Sequence, residues 1–248
     1  MSQPTDDLGM KVMTGEWRYL AMFNYLIDPT VLAPYVPAGT TLDTWHGECL
    51  ISVVGLRFLS LKVLGVPAPL HRNFPQVNLR FYVKRERGSE VRHGARFIQE
   101  FVRLPTMAYT ARLVMNEPLT ALPMQSSAPE RAGQTPGLVA YAWRHHRHWN
   151  HIAVRPVGGP LDVPDDSLEQ FVIERFWGYT PQRDGGTLEY GVRHPRWRTW
   201  RVAEPEFECD VAGLYGPQFV EALSAPPRAV FLAEGSPVAM FMPHRLPT

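Results

Sequence analysis

The chain is interrupted everywhere. Twenty-four prolines and 19 glycines are spread over 248 residues and divide the apolar sequence into short runs. Proline removes a backbone donor, and glycine is entropically unfavourable inside regular elements. Such punctuation works against long helices and favours strands joined by turns. Most runs read as strands. Trp17 to Ile27 is one, and Glu48 to Gly65 is apolar on both alternating faces, as in a central strand covered on both sides. Gln76 to Val102 reads as a hairpin turning near Gly88, Thr106 to Met115 as a further strand, and Leu138 to Arg144 with Trp149 to Val154 as a second hairpin. "MQSSAPERAGQTPG" (124–137) reads as a long surface loop. "DDSLEQFVIERFWGY" breaks the pattern. Ser167 and Gln170 stand at capping-box spacing, and Leu168, Phe171, Val172 and Phe176 form an apolar stripe, which predicts a helix. Strands follow at Leu188 to Arg193 and Arg198 to Val202, then a Pro-interrupted helix in "DVAGLYGPQFVEAL" and a closing hairpin in "RAVFLAEGSPVAMFM". Many antiparallel strands with few helices predict a mainly β (α+β) fold, built as a barrel or a strongly bent sheet.

With 45% hydrophobic and 20% charged residues the chain reads as globular, a tail over 1–14 preceding a single domain over 15–248. A net charge of +1 supplies no field to attract nucleic acid or anionic lipid. No apolar stretch is long enough for a membrane span, and "MSQPTDDLGMKVMTGEW" has no apolar signal region. Cys49 and Cys209 lie far apart without CxxC spacing, as expected of reduced thiols in a cytoplasmic protein. An exposed β edge leaves room for a homo-oligomer. Only Lys11, Lys62 and Lys84 are lysines, and the other 22 basic residues are arginines, so an amine nucleophile has few candidates. Lys62, in the central strand, is the one with a prospect of burial, whereas Lys84 borders a charged turn. No Gly-rich phosphate loop, GxSxG or HExxH is present, and no cofactor is predicted.

Four histidines crowd "YAWRHHRHWNHIAV": His145, His146, His148 and His151. They straddle a hairpin tip. Strand parity predicts that His145 and His151 share one face and His146 and His148 the other, with the turn disturbing both. Arg144 and Arg147 put positive charge where a cation would sit. The expectation is a solvated turn and no metal site.

"QVNLRFYV" alternates strictly. Val77, Leu79, Phe81 and Val83 fall on one face, and Gln76, Asn78, Arg80 and Tyr82 on the other. The polar face is either the solvent side of a sheet or the lining of a lumen. In a lumen, two amides and a guanidinium would form a pre-arranged set for a carboxylate or carbonyl ligand.

Four segments then occur in order: "EWRYLAMFNYLIDPTVLAPYVPAGTTLD", "HRNFPQVNLRFYV", "FVIERFWGYTPQRDGGTLEYGVRHPRW" and "DVAGLYGPQFV". From Gly15 onward the chain resembles the DUF2071 (YqjF-like) family, which is grouped with the acetoacetate decarboxylase-like fold. The resemblance implies a closed or nearly closed antiparallel β barrel with a few peripheral helices and a buried cavity, and it favours the lumen reading of Gln76, Asn78 and Arg80. Acetoacetate decarboxylase works through a Schiff-base lysine assisted by a second lysine and a glutamate. The corresponding stretch here, "LPTMAYTARLV", has no lysine, so Schiff-base decarboxylation is expected to be absent. The family pattern also commonly has glutamate where this chain has Gln76, which binds but cannot titrate.

The expected function is binding of a small carboxylate or carbonyl compound by Gln76, Asn78, Arg80, Tyr82 and Tyr179. The alternative is an enzyme of unknown reaction in the same cavity. Its proton carrier would be Glu174 on the border of the helix stripe, His194 beside Trp197, or His71 just ahead of the polar strand.

Overall fold

The computed structural model describes residues 8–68 and 71–247. The first half builds long antiparallel strands. β1 (Lys11–Leu26) leads through a Pro-started turn of helix, α1 (Pro29–Leu32), and the short β2 (Thr41–Leu42) to β3 (Leu50–Val63) and β4 (Val66–Pro67). The predicted hairpin follows as β5 (Phe74–Arg87) and β6 (Glu90–Val102), turning at Gly88. Next come α2 (Pro105–Met115), β7 (Leu119–Ala121), β8 (Met124–Ser126), β9 (Val139–His145) and β10 (His148–Asp162). The remainder is α3 (Leu168–Ile173), β11 (Trp177–Pro181), β12 (Thr187–Arg193), β13 (Arg198–Glu208), α4 (Val211–Leu214), α5 (Val220–Ser224), β14 (Ala229–Phe241) and β15 (His244–Arg245).

Seven strands close on themselves in the order β12, β11, β6, β5, β3, β1, β14, and the last pairs back to β12. All neighbours in the ring are antiparallel except β11 and β6. The sheet forks at β14, where β13, β10, β9 and β8 continue in a second layer. A ring of seven strands is too narrow to enclose further strands, so the second layer lies outside it. Two cores result. The outer core joins Tyr19, Phe23, Val53, Val77, Leu79 and Phe81 of the ring to Tyr141, Trp143, Ile152 and Val154 of the outer layer. The inner core holds Leu20, Met22, Val54, Leu56, Phe58, Phe74 and Tyr82 with α3 packed among them.

Several local expectations are corrected. Residues 105–115 form helix α2, not a strand. Pro105 occupies its first turn, Ala108, Ala111, Arg112 and Leu113 are good helix formers, and Asn116 ends it in the left-handed conformation at φ 56°. The closing hairpin is one strand, β14, kinked where Gly235 takes φ 75°. The helix after Ser167 stops at Ile173, because Trp177 is drawn into the sheet beside Gly94. Ser167 does cap it, accepting from the Gln170 amide at 3.1 Å. The loop over 124–137 begins with the short strand β8, and the strand predicted at 198–202 runs on to Glu208. β1 starts at Lys11, inside the predicted tail, whose residues 1–7 lie outside the described residues. Lys62 is exposed, not buried, near the end of β3. Both cysteines are free. Among the described residues no helix is long and apolar enough to cross a membrane.

Candidate functional site

β5 runs between β3 and β6, so both of its edges are paired, and burial on both faces shows that each is covered. Val77, Leu79, Phe81 and Val83 enter the outer core. Gln76, Asn78, Arg80 and Tyr82 turn into the ring, where Asn78 is 2% exposed, Arg80 9% and Tyr82 1%. The polar face therefore lines the ring interior and not a solvent surface.

Each side chain there meets specific partners. The Tyr82 hydroxyl lies 2.6 Å from Ser52 Oγ, which donates to Asn24 Oδ1 at 2.7 Å. A hydroxyl carries one proton, so Tyr82 is the donor to Ser52. Arg80 Nη2 donates to the Val172 carbonyl at 3.0 Å, at the C-terminal end of α3, where orphan carbonyls favour a cation. Gln76 Nε2 donates to Glu100 Oε2 at 2.5 Å. Two buried atoms are left without partners: Asn78 Oδ1 and Arg80 Nε. An unsatisfied buried polar group costs about 1–3 kcal/mol, so a pair on one face marks a place where something else can bond.

The glutamate at the site comes from the neighbouring strand. Glu100 stands directly across the ladder from Asn78. It gets there through a bulge: the β5–β6 register slips between Leu79 and Arg80, across from Phe97–Gln99. Bulges re-aim side chains in this way. A second carboxyl, Glu117, follows Asn116 and accepts from Thr180 Oγ1 at 2.5 Å. Burial and the nearby Glu117 charge raise the Glu100 carboxyl well above the ordinary carboxylate value of 4.5, against the Gln76 hydrogen bond and the charges of Arg96 and Arg80. Burial also raises Glu117, opposed by its bonds to Thr180 and Tyr190 and by the Arg96 charge. Arg96 Nε and Nη1 are buried without hydrogen-bond partners. Beyond Gly94 and Ala95 the β6 ladder with β11 ends, and its ladder with β7 begins at Glu100. Residues 96–99 lie between these two ladders, where Gln99 Nε2 donates to the Pro118 carbonyl at 2.8 Å and to Thr120 Oγ1 at 2.9 Å.

α3 closes the other side. Arg175 pairs with Asp43, and its guanidinium lies 3.8 Å from the Phe171 ring centroid and 4.8 Å from that of Tyr82. Asp43 also accepts from His93 Nδ1 at 2.7 Å. Burial pushes Asp43 upward, but His93 and Arg175 outweigh it and hold the carboxyl below its ordinary value.

The other residues singled out in the sequence are scattered. Tyr179 sits on the opposite face from the polar set, in the outer core, across from Glu189 and against Gly94. Its strand neighbour across the ladder from Gly178, Tyr190, is the tyrosine that reaches Glu117. Glu174 is buried but occupied, accepting from Gln170 at 3.1 Å and pairing with Arg196 at 3.2 Å. His71 meets Thr106 Oγ1 at 2.7 Å, at the start of α2. His194 stacks on Trp197 with ring centroids 4.3 Å apart and lies 5.0 Å from Phe176. Burial pushes its ring down to about 4, against the bond to the Pro195 carbonyl and with help from the Arg80 charge, so it is neutral at pH 7. His194 also lines an open groove of about 610 Å³ with Lys11, Lys62 and Arg193, near the seam where β12 meets β14.

The histidine hairpin differs from the parity expectation. His145 and His148 are directly paired, because a two-residue turn with His146 at φ 52° puts them opposite each other, and this places His145 and His151 on opposite faces. His145 approaches Asp210 at 3.9 Å and His151 approaches Glu206 at 3.5 Å. Among the described residues no group of three His, Cys, Asp or Glu is placed to hold a metal ion.

Glu100, Glu117 and Tyr190 were not legible in the sequence. Glu100 needed the bulge, and Glu117 needed the helix stop at Asn116. Only the Gly88 hairpin, which brings β6 beside β5, was an available signal.

The arrangement has relatives. Acetoacetate decarboxylase from Legionella pneumophila superposes with a TM-score of 0.65 at 11% identity, over 95% of this chain and 87% of its own. The enduracididine biosynthesis enzyme MppR complexed with pyruvate gives 0.65 at 13% identity, over 100% and 92%. An acetoacetate decarboxylase-like enzyme from Sphingomonas wittichii RW1 gives 0.64 at 13%, over 97% and 95%. At such identities the likeness is one of fold. In sequence, the uncharacterized protein YqjF of Bacillus subtilis is 26% identical over 204 residues, 82% of this chain and 80% of that protein. The model of the DUF2071 family, described as an uncharacterized conserved protein, matches residues 14–237, and the chain belongs to that family.

Proposed function

We propose that the ring interior binds a small organic acid, held through its carboxylate by Arg80 and through amide contacts by Asn78 and Gln76. The observation that carries this reading is the pair of buried, unpartnered atoms on one face of β5, Asn78 Oδ1 and Arg80 Nε. A guanidinium is suited to a carboxylate, and the Asn78 oxygen, an acceptor, takes a hydrogen bond from a hydroxyl on the ligand, as a 2-hydroxy acid supplies. A fold relative, the enzyme MppR complexed with pyruvate, supports the size and charge class of ligand. The lysines argue against a Schiff base, since Lys11 and Lys62 are exposed and Lys84 lies at the β2 pairing, opposite Thr41.

Isothermal titration with C3 to C5 2-oxo and 2-hydroxy acids tests the proposal. Arg80→Gln should weaken binding at least about 10-fold, the loss of one charge-assisted contact, while leaving the melting transition cooperative. Unchanged affinity in that variant, or no binding of any acid in the series, rejects the site. Incubation with acetoacetate and borohydride should leave no covalent adduct on any lysine by mass spectrometry.

A further inference from the structure

The binding reading leaves Glu100 and Glu117, the two buried carboxyls near Arg96, unused. Glu117 is engaged by Thr180 and Tyr190. Glu100 is different: Gln76 clamps Oε2, and the residue directly across the ladder is Asn78, whose buried Oδ1 has no partner. Arg80, with its own unpartnered Nε, lies within electrostatic reach of the same carboxyl. A carboxyl, an orphan acceptor and an orphan cationic donor thus stand together on the inner face of the β5–β6 pair.

We propose that Glu100 is the proton carrier of a carbon-acid reaction, the enolisation of a short 2-oxo acid bound on Arg80 and Asn78. This rests on the binding reading above. In the step, the Glu100 carboxylate takes a proton from C3 of the ligand. The C3–H electron pair becomes the C2=C3 double bond, and the carbonyl π pair moves onto oxygen, next to the Arg80 guanidinium. Passing the same proton from Glu100 to that oxygen gives the enol and restores the carboxylate. No oxidant, reductant or co-reactant is consumed. Asn78 Oδ1 supplies selectivity for the product form: a 2-oxo acid offers it no donor, whereas the enol hydroxyl does, so the contact is gained along the reaction. Burial and the neighbouring Glu117 make the Glu100 carboxylate a stronger base than a solvated one, so the rate climbs as pH rises above the ordinary carboxylate range.

The test uses the full chain with pyruvate and with 2-oxobutyrate in D2O. Proton NMR follows loss of the C3 hydrogens, and saturation-transfer spectra of the same samples report binding. Wild type should exchange C3 protons about 100-fold or more above buffer, the scale of general-base catalysis. E100Q should fall to the buffer rate while keeping its saturation-transfer signal. E100D should retain partial exchange with an altered pH profile, and it carries the test if E100Q does not melt cooperatively. Saturation transfer without exchange in wild type overturns this proposal and leaves the binding reading standing. No saturation transfer with either acid counts against both. Exchange in E100Q at the wild-type rate, or a borohydride-trapped lysine adduct, assigns the chemistry elsewhere and overturns it.

Discussion

Burial shifts the titration of three residues around the polar face of β5, and the signs differ. His194 is pushed from 6.5 down to about 4, so between those values the unfolded chain binds a proton that the folded chain does not. Its neutral form contributes stability that is full above pH 6.5 and is lost as pH falls toward 4, on the order of 3 kcal/mol. Urea unfolding at pH 7, 5 and 4 should show that His194→Phe, which keeps an aromatic ring against Trp197, loses less stability than wild type across this range. Glu100 and Glu117 act oppositely. Their raised values favour the protonated folded form, so their contribution is fully present below about pH 4.5 and is lost as pH rises through the folded-state values. Thermal melts should therefore show wild type falling between pH 5 and pH 9 more steeply than Glu117→Gln. At this scale the alternation in "QVNLRFYV" was legible because side-chain period follows from strand geometry, whereas the titration of Glu100 was not, because burial belongs to the fold.

Elements show which sequence signals dominate locally. Thr106 to Met115 mixes β-branched residues with alanine, leucine and arginine, and Pro105 at the first turn with Asn116 at the end decides for helix. β14 reads as two strands about a glycine, yet it is one strand kinked at Gly235, where the backbone passes the Trp17 carbonyl so closely that an added Cβ would lie 1.9 Å from it. Gly235→Ala combines this clash with the left-handed φ and should cost at least about 2 kcal/mol in urea unfolding. α3 is short because its aromatic continuation joins the sheet, and the Ser167 cap supports its start. Ser167→Ala should destabilise by about 1 kcal/mol, read by the same measurement.

Across the whole molecule, closure of the ring is uneven. β1 pairs with β3 and β14 along most of its length, while the seam between β12 and β14 has two residue pairs, Val192 with Met240 and Arg193 with Ala239. Few contacts make a low local opening energy. Hydrogen exchange by mass spectrometry should show peptides spanning the seam exchanging before those covering Val53 and Val54 at the centre of β3. By itself the sequence determined that the chain is a strand-rich domain, that β5 presents Gln76, Asn78, Arg80 and Tyr82 together, and that its lysines are few, since all three follow from residue identity and period-two geometry. Only the tertiary structure decided which face is interior, because both faces of β5 are covered and alternation alone cannot tell a lumen from an outer core. It also decided that Glu100, and not Gln99, faces Asn78. A hairpin turning at Gly88 without a bulge would have paired Asn78 with Gln99, and one extra residue in the β6 ladder exchanges an amide for a carboxyl at the centre of the site.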